Sequence, residues 1–352
     1  MATGLWATAA GGFIMATIPS FTSLTYLYAY WGATTILLFW APMIKATRIW
    51  GGGKNQGKAF GFLDGGRGLV GALFGTLGVA VFSYLLPTET EASIPESRAA
   101  LAQVILVAST LVAMIGGLVW WLLRSNGPAF DAGPRRKITW SQVGAVLRIP
   151  SVWLLMVIIL CAYTGYKVTD VFSLYARKVL GYDETAAAGV GSLLLYARPV
   201  VGVSVGLLAD RGRITYWLIL SFLLAIAGSL LFGLGWVGAS ASGWFLLSTL
   251  LLAAGVYAAR ALYFAVMEVG QIPLPLTGTA VGLISLVGYT PDIFAGPLMG
   301  YFLDGWPGEL GLRYTFLLVG SFGLVGLLAA VVYAWLYGRD ALHRSPRTAS
   351  DS

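Results

Sequence analysis

The sequence predicts an all-α polytopic membrane protein with about ten transmembrane helices. Three observations predict it. Long apolar stretches fill nearly all of the 352 residues, charged residues make up 11% against 58% hydrophobic, and the connections between stretches alternate from basic to neutral or acidic. A mean hydropathy of +0.79 exceeds what a soluble domain needs for its core. In lipid every backbone N–H and C=O must be satisfied within its own segment or a closed barrel. The stretches show no alternation of period two, so helices are expected.

A bilayer core takes about 20 residues of helix. The first expected span, 4–22, follows Met1 directly, and without a basic leader or a cleavage context it does not read as a signal peptide. The second, 25–44, ends at Lys45 and Arg48. The third, 59–86, opens on GKAFG and carries Asp64 and Arg67. The fourth, 99–123, runs into Arg124 and the longest connection. The fifth, 150–176, begins after Arg148 and holds Cys161, Lys167 and Asp170. The sixth, 185–208, holds Arg198 and runs into the loop GLLADRGR. The seventh and eighth are 214–236 and 243–267, with Arg260 toward the inner end of the eighth. The ninth, 278–303, opens on GTAVG and is interrupted at Pro291–Asp292. The tenth, 313–337, leads to the tail.

Basic loop residues are retained on the cytoplasmic side. One set of connections carries fourteen: Lys45, Arg48, Lys54, Lys58, Arg124, Arg135, Arg136, Lys137, Arg148, Arg211, Arg213, Arg339, Arg344 and Arg347. The opposite set carries Arg98, Arg177, Lys178 and Arg313 beside Glu89, Glu91, Glu96, Asp183, Glu184, Asp304 and Glu309. The first set and the C-terminus are therefore expected in the cytoplasm, in a plasma membrane of the bacterial inner-membrane kind. The net charge of +7 follows this topology rather than one face, which argues against a nucleic-acid partner. Cys161 stands alone, so no disulfide is expected, and His343 lies in the tail, so no histidine cluster exists to bind a metal. Neither metal nor cofactor is expected, and any proton coupling must use carboxylates.

The connection near 125–149, with Pro128, Pro134 and Arg135-Arg136-Lys137, separates four helices from six. It reads as a cytoplasmic linker between an N-terminal bundle, 1–124, and a C-terminal bundle, 150–338, followed by a tail, 339–352. GKAFG at Gly57–Gly61 recurs as GTAVG at Gly278–Gly282, each opening a glycine-rich helix in its own half. Parallel repeats of this sort build many secondary transporters.

The loop GLLADRGR, Gly206 to Arg213, resembles the Gly-x-x-x-Asp-Arg-x-Gly-Arg loop of the major facilitator superfamily, one residue shorter after Arg211. The resemblance implies a gate in which Gly206 belongs to the motif, Asp210 contacts a neighbouring helix end, and Arg211 and Arg213 hold the cytoplasmic side. It also implies twelve helices in two bundles. Four plus six matches that pattern with the family's first two helices missing. The stretch Tyr163 to Gly181, YTGYKVTDVFSLYARKVLG, looks like the seventh-helix region of organophosphate and organic-anion transporters in that superfamily. It departs from them in having Gly165 where the phosphate antiporters tend to carry arginine.

Ionisable residues cost about 2.5–3.5 kcal/mol each near a helix centre, so those inside the spans mark a site. Arg67, Lys167, Arg198 and Arg260 qualify, with Asp64, Asp170 and Asp292, and less deeply Glu268. Asp64 with Arg67, and Lys167 with Asp170, are spaced three apart and share a helix face, so each pair is placed to neutralise itself. Arg67, Lys167 and Arg198 are the expected contacts for an anionic solute, with hydroxyls from Tyr196 and Tyr263. Asp64, Asp170 and Asp292 are the candidates for proton coupling. The expected function is secondary active transport of a small anionic metabolite by alternating access, in symport with H+, by a monomer. An inactive truncated transporter and a transporter-like sensor are the alternatives. Integral-membrane enzyme chemistry has no metal cluster, triad or phosphate-cradling loop to support it.

Overall fold

The computed structural model describes residues 1–85, 94–125, 139–238 and 242–338. Most of the expected linker, with Arg135, Arg136 and Lys137, lies outside the described residues. So do Glu89, Glu91 and the tail 339–352 with His343. Among the described residues the chain is helical and has no strand. The helices are α1 (Ala2–Met15), α2 (Phe21–Gly32), α3 (Ala41–Gly51), α4 (Gln56–Leu85), α5 (Ile94–Ser125), α6 (Trp140–Leu147), α7 (Pro150–Lys167), α8 (Val171–Lys178), α9 (Glu184–Asp210), α10 (Ile214–Gly233), α11 (Ser242–Leu262), α12 (Thr277–Gly288), α13 (Pro291–Gly305) and α14 (Glu309–Tyr337). A π-helical stretch, Ala33–Trp40, joins α2 to α3.

Eight segments of these residues are long and apolar enough to cross a membrane: Phe21–Gly51, Pro95–Leu123, Pro150–Lys178, Ala186–Asp210, Ile214–Gly233, Gly243–Leu262, Leu274–Gly305 and Glu309–Tyr337. The chain is an all-α polytopic membrane protein. The expected span 4–22 is shorter than predicted. α1 stops at Met15, because Ile18 turns to φ 49° and Pro19 follows it. The span expected at 59–86 is α4, which carries Lys58, Asp64 and Arg67 and does not count among the eight.

Two spans are broken. Pro291 stops α12 and starts α13 after the turn at Tyr289–Thr290, as the Pro291–Asp292 dipeptide predicts. The second break was not predicted. α7 ends at Lys167, residues Val168–Asp170 form a turn, and α8 starts at Val171.

The chain divides into two compact units: Met1–Ala46 with Val70–Thr139 and Thr277–Gly282, and Thr47–Leu69 with Trp140–Leu276 and Leu283–Ser352. In the first unit α1 packs on α5 and α2 through small residues under tryptophans. Gly116 lies against the Trp6 indole and Gly11 against Trp31. The indole N–H of Trp6 donates to Ala113 O at 3.1 Å, and that of Trp31 to Thr8 O at 3.0 Å.

In the second unit α10 packs on α11 and α14. Gly228 and Gly255 let α10 and α11 approach until a methyl at either glycine would strike the other helix's backbone. Phe172, Tyr175, Phe232, Phe245 and Phe316 form an aromatic core, with the Phe232 and Phe316 rings stacked at 4.2 Å. The N-terminal half of α4 lies along α9 by the same device. A Cβ added at Gly61 would stand 2.6 Å from Gly202 O, and one at Gly57 2.6 Å from Gly206 O.

Gly61→Ala should therefore destabilise the protein by about 1–3 kcal/mol through overpacking. Gly66→Ala, where nothing lies within 4 Å of the new methyl, should be neutral or stabilising by about 1 kcal/mol from helix propensity. Thermal unfolding of the two variants in detergent checks the contrast.

Candidate functional site

The sequence GFLDGGRG, Gly61 to Gly68, sets a carboxylate and a guanidinium on a helix almost free of side-chain bulk. Pro199 and Arg198 of α9 come to rest on that helix, Pro199 against Gly65 and the Arg198 stem against Gly68. The close approach delivers Arg198 to Asp64. Nη2 lies 2.8 Å from Oδ1, and Nε donates to Oδ2 at 3.3 Å. Arg67, one turn along α4, places Nη1 3.8 Å from the same Oδ1. Arg260, near the end of α11, brings Nη2 to 3.6 Å.

Asp64 is 4% exposed and Arg260 6%, whereas the Arg67 side chain is 39% exposed. Three guanidiniums thus share one buried carboxylate, and these four groups together carry net positive charge. Two tyrosines of α7 back the arginines. The Arg260 guanidinium lies 3.6 Å from the Tyr166 ring centre and 5.4 Å from that of Tyr163, within cation–π range. The Tyr166 hydroxyl accepts a hydrogen bond from Arg198 Nη1 at 3.3 Å.

Lys167 does not pair with Asp170. The i,i+3 pairing requires a continuous helix, and α7 ends at Lys167, so Asp170 is exposed at the start of α8. Lys167 Nζ instead lies 3.0 Å from Asp292 Oδ1 in the first turn of α13. The Tyr163 hydroxyl donates to the Asp292 carboxylate, 3.1 Å from each oxygen. Lys167 and Asp292 are 34% and 50% exposed. Tyr263 is buried, its hydroxyl 3.3 Å from that of Tyr289. Tyr196 is exposed, two positions before Arg198 on α9 and hence on nearly the opposite face.

Of the loop residues, Asp210 accepts from Gly57 N–H and Lys58 N–H, both at 2.7 Å, and so caps the first turn of α4. A carboxylate there meets both unpaired N–H groups and the positive end of the helix dipole. Gly206 packs on Gly57 and Gly61. Arg211 ends α9, and Arg213 donates to the Tyr216 hydroxyl at 2.6 Å.

Sequence reasoning counted Arg260 among the intramembrane cations but gave it no contact with the solute, and it left Tyr163, Tyr166 and Tyr289 out of the expected contacts. Arg260 carried a signal, an arginine within a span. The tyrosines carried none beyond their hydroxyls. Arg48, counted among the loop cations, is 3% exposed and pairs with Glu268 at 2.8 Å while donating to Ile272 O at 2.6 Å. Cys161 is a buried free thiol.

Removing one partner of a buried ion pair strands the other. Asp64→Asn should cost about 3–5 kcal/mol of stability, and the double change with Arg198→Gln should cost less than the sum of the single changes. Chemical unfolding in micelles measures both, and a loss under about 1 kcal/mol for Asp64→Asn, the range of an exposed ion pair, would show that the carboxylate is not the anchor.

No family model matches the sequence. The chain is 27% identical over 333 residues to the inner membrane protein YqcE of Escherichia coli K12, covering 92% of this chain and 75% of that protein. It is 23% identical over 338 residues to the inner membrane protein YihN of the same organism, covering 94% and 78%. Among solved structures it is similar to the major facilitator superfamily transporter FucP, crystallised in the outward conformation. The TM-score is 0.71 at 14% identity, over 94% of this chain and 82% of that one. With two inner-membrane relatives and that structural match, the chain has the fold of a major facilitator superfamily transporter.

Proposed function

We propose that the protein is a secondary active transporter of the major facilitator type that moves a small organic anion in symport with protons. The observation that carries this reading is the gathering of Arg67, Arg198 and Arg260 on one carboxylate within an apolar helix bundle. Excess positive charge in a bilayer is costly. An anionic solute adds a second negative group beside the three guanidiniums, and Arg67, the most exposed of the three, is its first contact. Lys167 adds a second cation, with Asp292 as its partner in the empty state.

Asp292 is the coupling group in this reading, with Asp64 holding the arginines and Asp170 a weaker candidate. Asp292 is half exposed and sits between an ammonium and a tyrosine hydroxyl. Loss of its charge on protonation would free Lys167 for the solute. Tyr263 lines the site through its hydroxyl contact with Tyr289, and Tyr196 is a more distant candidate.

The bodies that move in alternating access are the bundles 1–124 and 150–338. The segment 47–69 then exchanges its present partners, Glu268, Arg198 and Asp210, once per cycle. Asp210 and the arginines that follow it act at this gate. The protein works as a monomer in a bacterial inner membrane with its C-terminus in the cytoplasm, and catalyses no covalent chemistry.

Uptake of a panel of radiolabelled organic acids and neutral sugars into proteoliposomes, with and without an imposed pH gradient, tests the reading. At least one acid should accumulate against its gradient while the sugars do not. Arg67→Gln should reduce that uptake roughly tenfold, as expected for losing a hydrogen bond to a charged group, with membrane insertion intact. Asp292→Asn should retain solute exchange and lose the response to the pH gradient. Uptake confined to neutral sugars would refute the anionic assignment.

A further inference from the structure

We propose that Arg260 is the residue that binds the solute's charged group, and that this group is a single carboxylate. The proposal rests on the anion-transport reading above and narrows it. It follows from asking which guanidinium in the cluster is buried with N–H groups left unused.

Arg198 is satisfied, lying side-on against Asp64 through Nη2 and Nε. Lys167 has Asp292. Arg67 is 39% exposed, so solvent shares its charge. Arg260 differs from all three. It is 6% exposed, its Nη2 reaches Asp64 only at 3.6 Å, and its Nε and Nη1 have no acceptor among the described residues. The Tyr166 ring covers one face of the guanidinium and leaves the N–H groups along its edges. Buried polar groups are otherwise almost always paired, and a charged donor left bare is the costliest case. Unused N–H groups on a single buried guanidinium match the single charge of a carboxylate, which can approach end-on at Nη1. A phosphate monoester brings close to two negative charges near neutral pH, more than this one arginine leaves open.

Asp64 keeps its place when the ligand binds, since it already holds Arg198 and the donors in question are other atoms of Arg260. The carboxylate is added to the cluster and does not displace its anchor.

The test uses the full-length protein in nanodiscs at constant ionic strength and neutral pH. Affinity is read from the concentration dependence of thermal stabilisation. Propionate, gluconate and benzoate are each compared with the corresponding amide, and with inorganic phosphate and phenyl phosphate. At least one carboxylate should bind roughly tenfold or more tighter than its amide and than both phosphates, the range of a hydrogen bond to a charged group. Arg260→Lys, which keeps the charge and loses the fork of donors, should weaken that carboxylate roughly tenfold. Arg260→Gln should abolish the preference for carboxylate over amide. Wild-type selectivity is informative even if a variant fails to fold. Tighter binding of the phosphates would overturn the carboxylate assignment and leave anion transport standing. Equal binding of acids and amides would overturn both, and absence of binding by every probe would overturn the role given to Arg260.

Discussion

The buried carboxylate of Asp64 and the guanidiniums of Arg67, Arg198 and Arg260 around it form the interaction on which the rest of the second unit is arranged. Each arginine comes from a different position, one from the same helix and two from α9 and α11. None could be placed in so apolar a bundle without an opposite charge. The carboxylate in turn is reachable only because its own helix offers no bulk. Gly61, Gly65 and Gly68 let α9 lie close enough for Arg198 to meet Asp64 at 2.8 Å. Composition, close packing and electrostatics are thus one feature. The glycines that cost helix propensity permit the contact that offsets the burial of charge.

A second constraint lies in the broken helices. α7 stops at Lys167, and α13 starts at Pro291 with Asp292 in its first turn. The Lys167–Asp292 ion pair joins the two breaks, and Tyr163 strengthens the join with its hydroxyl and with a ring contact to Tyr289 at 4.7 Å. Backbone groups freed at breaks in a membrane helix need new partners, and here the turns themselves supply several, such as Thr169 Oγ1 donating to Tyr166 O at 2.7 Å. Charged side chains at such breaks can change partners with little rearrangement of the helices that carry them. That property suits a group that must release one ion to take another.

The helices were legible in the sequence because hydropathy over about 20 residues reports burial in lipid directly. The intramembrane charges were legible for the same reason, since each is an exception within an apolar run. Among their partners the i,i+3 contact of Asp64 with Arg67 was legible, and the contacts between helices were not. Spacing along a helix names neighbours only while the helix continues, and the turn at Val168–Asp170 turned the expected Lys167–Asp170 pair into Lys167–Asp292. Arg48 looked like a loop cation by its position after a span, yet it is buried against Glu268 and Ile272 O. Its burial depends on residues 220 and 224 positions away, which no local pattern encodes. The π-helical turn at Ala33–Trp40 likewise has no sequence mark of the kind that Pro291 gives to α13.

Anomalous diffraction from crystals soaked in 4-bromobenzoate would test most directly whether the Asp64-anchored arginines are an anion site. Bromine density beside Arg260, with the carboxylate toward its Nη1 and Asp64 still on Arg198, is the predicted result. Density elsewhere in the protein, or none beside Arg260 while binding is measured in solution, would contradict it.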